Sequence, residues 1–166
     1  DRSVNYTSGS ESDTLVFNYT VQNGDVAADL DYTGTTALAL NGGTIKDVAG
    51  NVATLTLATP GASGSLANAK ALVVDGVLPA VSTAAANAGT KTITLAMSEA
   101  IASGAPANGD FAVLVGSASN AVTNVAVSGT SVVLTVTNVI ANDATVTVGY
   151  TQSSSDSAKM KDAAGN

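Results

Sequence analysis

One segment occurs twice in this chain, and that repeat constrains what the chain can fold into more than any other feature. The first copy reads Leu15-Val16-Phe17-Asn18-Tyr19, Asn23-Gly24-Asp25, Leu30-Asp31-Tyr32-Thr33, then Lys46-Asp47-Val48-Ala49-Gly50-Asn51. The second reads Val132-Val133-Leu134-Thr135-Val136, Asn142-Asp143, Val146-Thr147-Val148-Gly149-Tyr150-Thr151, then Lys161-Asp162-Ala163-Ala164-Gly165-Asn166. Asp25 precedes Tyr32 by the same interval as Asp143 precedes Tyr150. Only the loop before the Lys-Asp-x-Ala-Gly-Asn tail changes length. A long-period repeat of strand, turn, strand and loop indicates tandem modules, and tandem modules point to architectural work.

The repeat also divides the chain. Ahead of the second copy lie roughly fifty residues of further strand-like sequence, and ahead of the first only about a dozen. The expectation is a window on a longer array, with residues 1–76 the C-terminal part of one module and 77–166 most of the next. The first module is expected to be incomplete. Whether the second includes its last strand is left open. Asp75-Gly76 and Pro79 bracket Val77-Leu78 as a linker.

Alternation sets the local reading. Leu15, Phe17, Tyr19 and Val21 alternate with polar partners, the two-residue period of a half-buried strand over 14–21. Strands are also expected at 37–40, 52–57, 69–74, 90–97, 111–115, 122–127, 131–136 and 144–150. Asn23-Gly24-Asp25 supplies turn chemistry. Ser128-Gly129-Thr130 joins two strands as a hairpin. The alanines of 83–89 permit a helical turn, but Asn87 and Gly89 favour a loop. Fewer than about a tenth of the residues are expected in helix.

Composition narrows the chemistry. The chain has 166 residues and a net charge of −7, with only six basic side chains. It offers no footprint for a phosphate backbone, so no nucleic-acid partner is expected. It is repelled by anionic membrane surfaces, and no stretch approaches the ~20 apolar residues of a membrane span. There is no His and no Cys. That removes the commonest general base, the commonest strong nucleophile, and disulfides, so no enzyme is expected. A paired-carboxylate glycosidase would need aromatic platforms, and two Phe and four Tyr are thin material for them.

Several motifs carry a family resemblance. They are Ser98-Glu99-Ala100, Asp110-Phe111-Ala112-Val113, Val127-Ser128-Gly129 to Leu134, Val146 to Thr151, and Asp162 to Asn166. Together they resemble the SwmB-type Ig-like repeat of giant secreted bacterial proteins. The first module, with Asp29-Leu30-Asp31-Tyr32 and the Lys46 to Asn51 tail, resembles a sister repeat of the same proteins. It lacks a Ser-Glu element of its own. The resemblance implies an all-β fold of tandem Ig-like or cadherin-like antiparallel β-sandwich modules. It implies a structural unit of an extracellular adhesin, surface layer or filament.

Calcium is the cofactor that fits this acidity. The ion takes roughly six to eight oxygens from carboxylates, carbonyls and amides on flexible loops. Asp47 and Asn51, repeated as Asp162 and Asn166, place a carboxylate and an amide around a Gly that lets carbonyls converge. Asp75 lies at the linker and Glu99 at the end of a strand. Asp29 and Asp31 form a second, weaker pair on one strand face. The competing reading is that Asp-x-x-Gly-Asn is an Asx-turn and needs no metal. The expected partners are neighbouring modules or other copies of the chain, with surface polysaccharide as an alternative. A further alternative is a filament subunit completed by a neighbour's strand.

Overall fold

The computed structural model describes residues 1–166. It is nearly all β, with 30% of residues in strands and 6% in helix. It divides into two compact units, Asp1–Gly76 and Val77–Asn166.

The second unit is an antiparallel sandwich. One sheet orders its strands β5 (Val81–Ala86), β6 (Thr92–Met97), β10 (Ser131–Val136) and β9 (Val122–Ser128). The other orders β11 (Val146–Tyr150), β7 (Phe111–Val115) and β8 (Ala118–Ser119). Every second residue of β6 and β10 is buried: Ile93, Leu95 and Met97 on one, Val132, Leu134 and Val136 on the other. The register sets Val132 opposite Leu95 and Leu134 opposite Ile93, so apolar side chains meet across the ladder. Phe111 and Val113 of β7 close the core from the other sheet, with Ile101 and Ile140 from loops. Asn120 is buried too, and its amide bridges both the N–H and the carbonyl of Asn138. Gly104 is required where it stands. Its φ is +105°, and a Cβ there would lie 1.9 Å from the Lys159 carbonyl oxygen.

The first unit is built differently. None of its hydrophobic side chains is buried, and Leu15, Val16, Phe17, Val21 and Val26 are exposed. Its ladders are short: β1 (Tyr6–Ser8) pairs β2 (Val16–Phe17), and β3 (Val26–Ala27) pairs β4 (Val74–Asp75). Carboxylates do much of the joining. Asp25 accepts the Tyr19 hydroxyl, the Gln22 amide at 2.9 Å and the Arg2 guanidinium at 2.7 Å. Asp29 accepts the Leu72 amide at 3.2 Å, and Asp31 accepts the amides of Gly61 at 3.0 Å and Leu66 at 3.3 Å.

Several sequence expectations are corrected here. The strand expected over 14–21 shrinks to Val16–Phe17, because only β1 lies beside it. Residues 37–40 and 52–57 form no ladder; Val52 makes one isolated bridge to Lys46. Residues 69–74 start with a helical turn, α1 (Leu66–Ala69), capped by Ser65 accepting the Asn68 amide, so β4 covers only Val74–Asp75. Conversely, β5 extends through residues 83–86 of the stretch expected to be a loop, while 87–90 turn as Asn87 and Gly89 favour, with Thr90 N–H donating to the Asn87 carbonyl. It pairs with β6, and that backbone pairing overrides the weak local preference of its alanines.

Two outcomes follow. Leu134→Ala deletes a fully buried side chain and is expected to destabilise the second unit by about 2–5 kcal/mol, read as a lower denaturant midpoint with the first unit's transition unmoved. The Tyr19 hydroxyl, then Arg2, then the Gln22 amide hold the Asp25 carboxyl down to about 2, from an ordinary 3.8. A depressed folded-state value makes its contribution complete above the unfolded value and lost as pH falls from about 5 through about 2. The first unit is therefore expected to lose order in that window before the second does. Residue-resolved NMR between pH 7 and pH 2, with Asp25→Asn flattening the profile, checks it.

Candidate functional site

The repeated tail folds into the same object twice. In the first copy, Asp47 Oδ1 accepts the Asn51 amide at 2.8 Å and Oδ2 accepts the Asn51 side-chain amide at 2.8 Å. Asp47 N–H donates to the Asn51 carbonyl and Gly50 N–H to the Asp47 carbonyl, both at 3.0 Å. In the second copy Asp162 and Asn166 repeat both side-chain bonds at 3.0 Å. Asp162 N–H and Gly165 N–H repeat the backbone pair at 3.3 and 3.4 Å. The glycines hold φ of +92° and +94°, a left-handed geometry that disfavours any side chain. Each turn is thus closed by its own Asp and Asn, the pattern of an Asx-turn.

The two copies differ in surroundings. Asp47 sits on an exposed turn, whereas Asp162 is only 5% exposed. Asp162 Oδ1 also accepts the amides of Ala164 and Gly165, each at 2.8 Å. Burial alone would raise the Asp162 carboxyl, but hydrogen bonds from Asn166, Gly165 and Ala164 outweigh it and leave the group below its usual range. For Asp47 the Asn51 side chain is the leading cause of the same downward shift.

Glu99 joins the second copy. Its Oε1 is shut off from solvent, and its carboxylate lies within 4.8 Å of that of Asp162. The Asp162 Oδ1 atom accepts three amides, whereas Oδ2 accepts a single donor and keeps further acceptor capacity. Two carboxylates from separate loops fit a hard divalent ion that draws its other oxygens from carbonyls and water. Asp75 belongs to the first unit, where its backbone pairs with Val26. Asp29 and Asp31 spend their carboxylates on the backbone amides already named. Asp25 carries more of the first unit's bonding than a turn residue should. Its sequence signal was the chain's single arginine, Arg2.

Residues 103–155, within the second unit, match the family model described as a "Putative flagellar system-associated repeat", the SWM repeat. Searches of curated proteins and of solved structures found no match. No helix is long and apolar enough to cross a membrane.

The two turns give different mutational outcomes. Asp162→Ala removes a buried carboxylate that accepts three amides and is expected to lower the second unit's melting temperature by several degrees. Asp47→Ala, on an exposed turn that water can serve, is expected to leave the first unit's melting nearly unchanged. Differential scanning calorimetry of both variants checks the contrast. The SWM-repeat match covers residues 103–155 and supports the reading of the second unit as a repeat of that type.

Proposed function

We propose that this chain is a structural repeat segment of a large secreted bacterial protein, serving as a spacer in an adhesin, surface layer or filament. The observation that carries the reading is the self-closed Asp-x-x-Gly-Asn turn, built with the same bonds in two units of the chain. A repeated element that satisfies its own polar groups is suited to being copied along an array. The SWM-repeat match within the second unit supports the same reading. The absence of His and Cys argues against catalysis on chemical grounds. The mechanism is mechanical: β-sandwich modules in series set a length, and their neighbours in the array are their partners.

The calcium role belongs to Glu99 and Asp162. With the ion bound, mutual repulsion of the two carboxylates turns into shared attraction, which stiffens that end of the second unit. Extracellular modules bind calcium at roughly 10⁻⁴ to 10⁻³ M, so the gain is modest. The melting temperature is expected to rise when chelator is replaced by calcium at about ten times that range, and Glu99→Gln is expected to abolish the rise. An unchanged melting temperature in the wild type would reduce the turns to plain Asx-turns.

One observation favours carbohydrate binding as the second reading. Tyr6 and Phe17 stand opposite each other across the β1–β2 ladder, with ring centroids 6.2 Å apart, and they are 46% and 42% exposed. Exposed rings of this kind stack on sugars. Two experiments separate the readings. Small-angle scattering of concatenated copies should give a radius of gyration that grows in proportion to copy number, as a rod does and a collapsed chain does not. Binding to a glycan array, lost on Tyr6→Ala, would favour the second.

A further inference from the structure

The internal repeat pairs two strands for comparison, and one of them lacks a neighbour that the other has. Leu15, Phe17 and Tyr19 of the first copy correspond to Val132, Leu134 and Val136 of the second, so β2 corresponds to β10. β10 lies between β9 and β6, whereas β2 has β1 on one side and no strand on the other. Val132, Leu134 and Val136 are buried, and Leu15 and Phe17 are exposed.

Hydrogen-bond direction shows which neighbour β2 lacks. On the β9 side of β10, Thr137 N–H donates to the Ala121 carbonyl at 2.9 Å, and the Thr135 carbonyl accepts the Thr123 hydroxyl at 3.1 Å. On the β6 side, Val136 N–H donates to the Lys91 carbonyl at 2.8 Å. Asn18 corresponds to Thr135, and its N–H donates toward β1, to Thr7 Oγ1 at 3.3 Å. β1 therefore stands where β9 stands, and it precedes β2 in the chain as β9 precedes β10. The extra residue of the β1–β2 ladder, Thr7, belongs to β1, so the alternation along β2 is kept. Phe17 and Tyr19 turn their N–H and C=O groups outward, to the side that β6 covers in the second unit. The sequence of this edge, Leu-Val-Phe-Asn-Tyr, has no charge and no proline to guard it.

We propose that the outer edge of β2 is a strand-accepting site. Its occupant is an extended, uncharged segment with large aliphatic side chains at alternate positions, the chemistry of Thr92–Met97, supplied by an adjoining stretch of the same repeat array. A second copy of this chain is a poor donor, because its own Thr92–Met97 is held between β5 and β10. The segment adds antiparallel, and its carbonyls accept the outward amides of Phe17 and Tyr19. In the second unit Leu95 stands opposite Val132 and Ile93 opposite Leu134. The same register sets two aliphatic side chains of the incoming segment opposite Leu15 and Phe17, which supplies specificity. The proposal rests on the reading of the chain as a repeat segment and names the contact that completes its first unit.

The test is amide hydrogen exchange of the full chain with a synthetic peptide of residues 91–98, Lys-Thr-Ile-Thr-Leu-Ala-Met-Ser. At a peptide concentration ten times its dissociation constant, exchange at Phe17 and Tyr19 is expected to slow about tenfold. Val16 and Asn18, already turned toward β1, should change little. In β6 the Thr92 carbonyl faces away from β10, accepting the Asn87 amide at 3.0 Å, so the Ile93 and Leu95 groups are the ones that face β10. A peptide N-methylated at its Ile and Leu amides should accordingly bind at least tenfold more weakly, and one N-methylated at its two Thr amides should keep its affinity. Protection confined to the second unit, equal weakening by both pairs of methyl groups, or no protection at millimolar peptide would overturn the proposal. So would a dimer of the chain that shields Phe17 and Tyr19 without peptide. Rod-like scattering of concatenated copies would survive any of these results, so failure of the edge site and failure of the repeat reading can be told apart.

Discussion

The second unit depends on one constraint: side chains alternate along a strand, and two strands of one sheet, β6 and β10, spend that alternation on the same core. Six buried positions, Ile93, Leu95, Met97, Val132, Leu134 and Val136, come from these strands alone. Each fully buried aliphatic side chain contributes about 1.5–3 kcal/mol relative to exposure. A slip of one residue in either strand would turn that strand's three to solvent. The register is therefore fixed by the core. The hairpin at Gly129, with φ +54°, only has to return the chain in time to meet it.

The first unit shows what happens when the same segment folds without that constraint. Its β2 matches β10 of the second unit in the repeat, yet it keeps only two residues of ladder and no buried side chain. Counterparts of β6 and β7, the strands that would cover it, are not among its elements. Its backbone amides still require acceptors, and carboxylates at Asp25, Asp29 and Asp31 supply them. Carboxylate bonds are charge-assisted and directional, so they hold a chain path where there is little apolar area to do so. They also make that path depend on ionisation, which a hydrophobic core does not.

This contrast explains how much of the fold could be read in the sequence. The strands β6, β7, β9, β10 and β11 were legible to within about two residues, because large apolar residues recur at every second position over most of each. β5 was not: Val-Ser-Thr-Ala-Ala-Ala has too little contrast between its faces, and it is exposed throughout. In the first unit the period was present in 14–21, but a period states which face seeks burial and not whether another strand supplies it. The turns were legible as turns from Asp, Gly and Asn. The sequence put Asp47, Asn51, Asp162 and Asn166 on equal footing as ligands. Only burial separates them, and burial follows from long-range packing that local spacing does not encode.

The repeated turn and the open edge of β2 are two sides of one design. The Asp-x-x-Gly-Asn loop closes on itself, with equal success on the exposed surface at Asp47 and in the buried setting at Asp162. An element indifferent to its surroundings places no demand on the strand that comes before or after it. The demand sits instead on the strand edges, where backbone groups are unsatisfied by construction and only another strand completes them in kind. In the first unit β3 is paired by β4, whose residues lie well downstream of the turn, across a loop whose length the turn does not dictate. Self-contained turns and dependent edges together let loops vary in length while strand addition stays the same, and that combination suits a chain that gains length one module at a time.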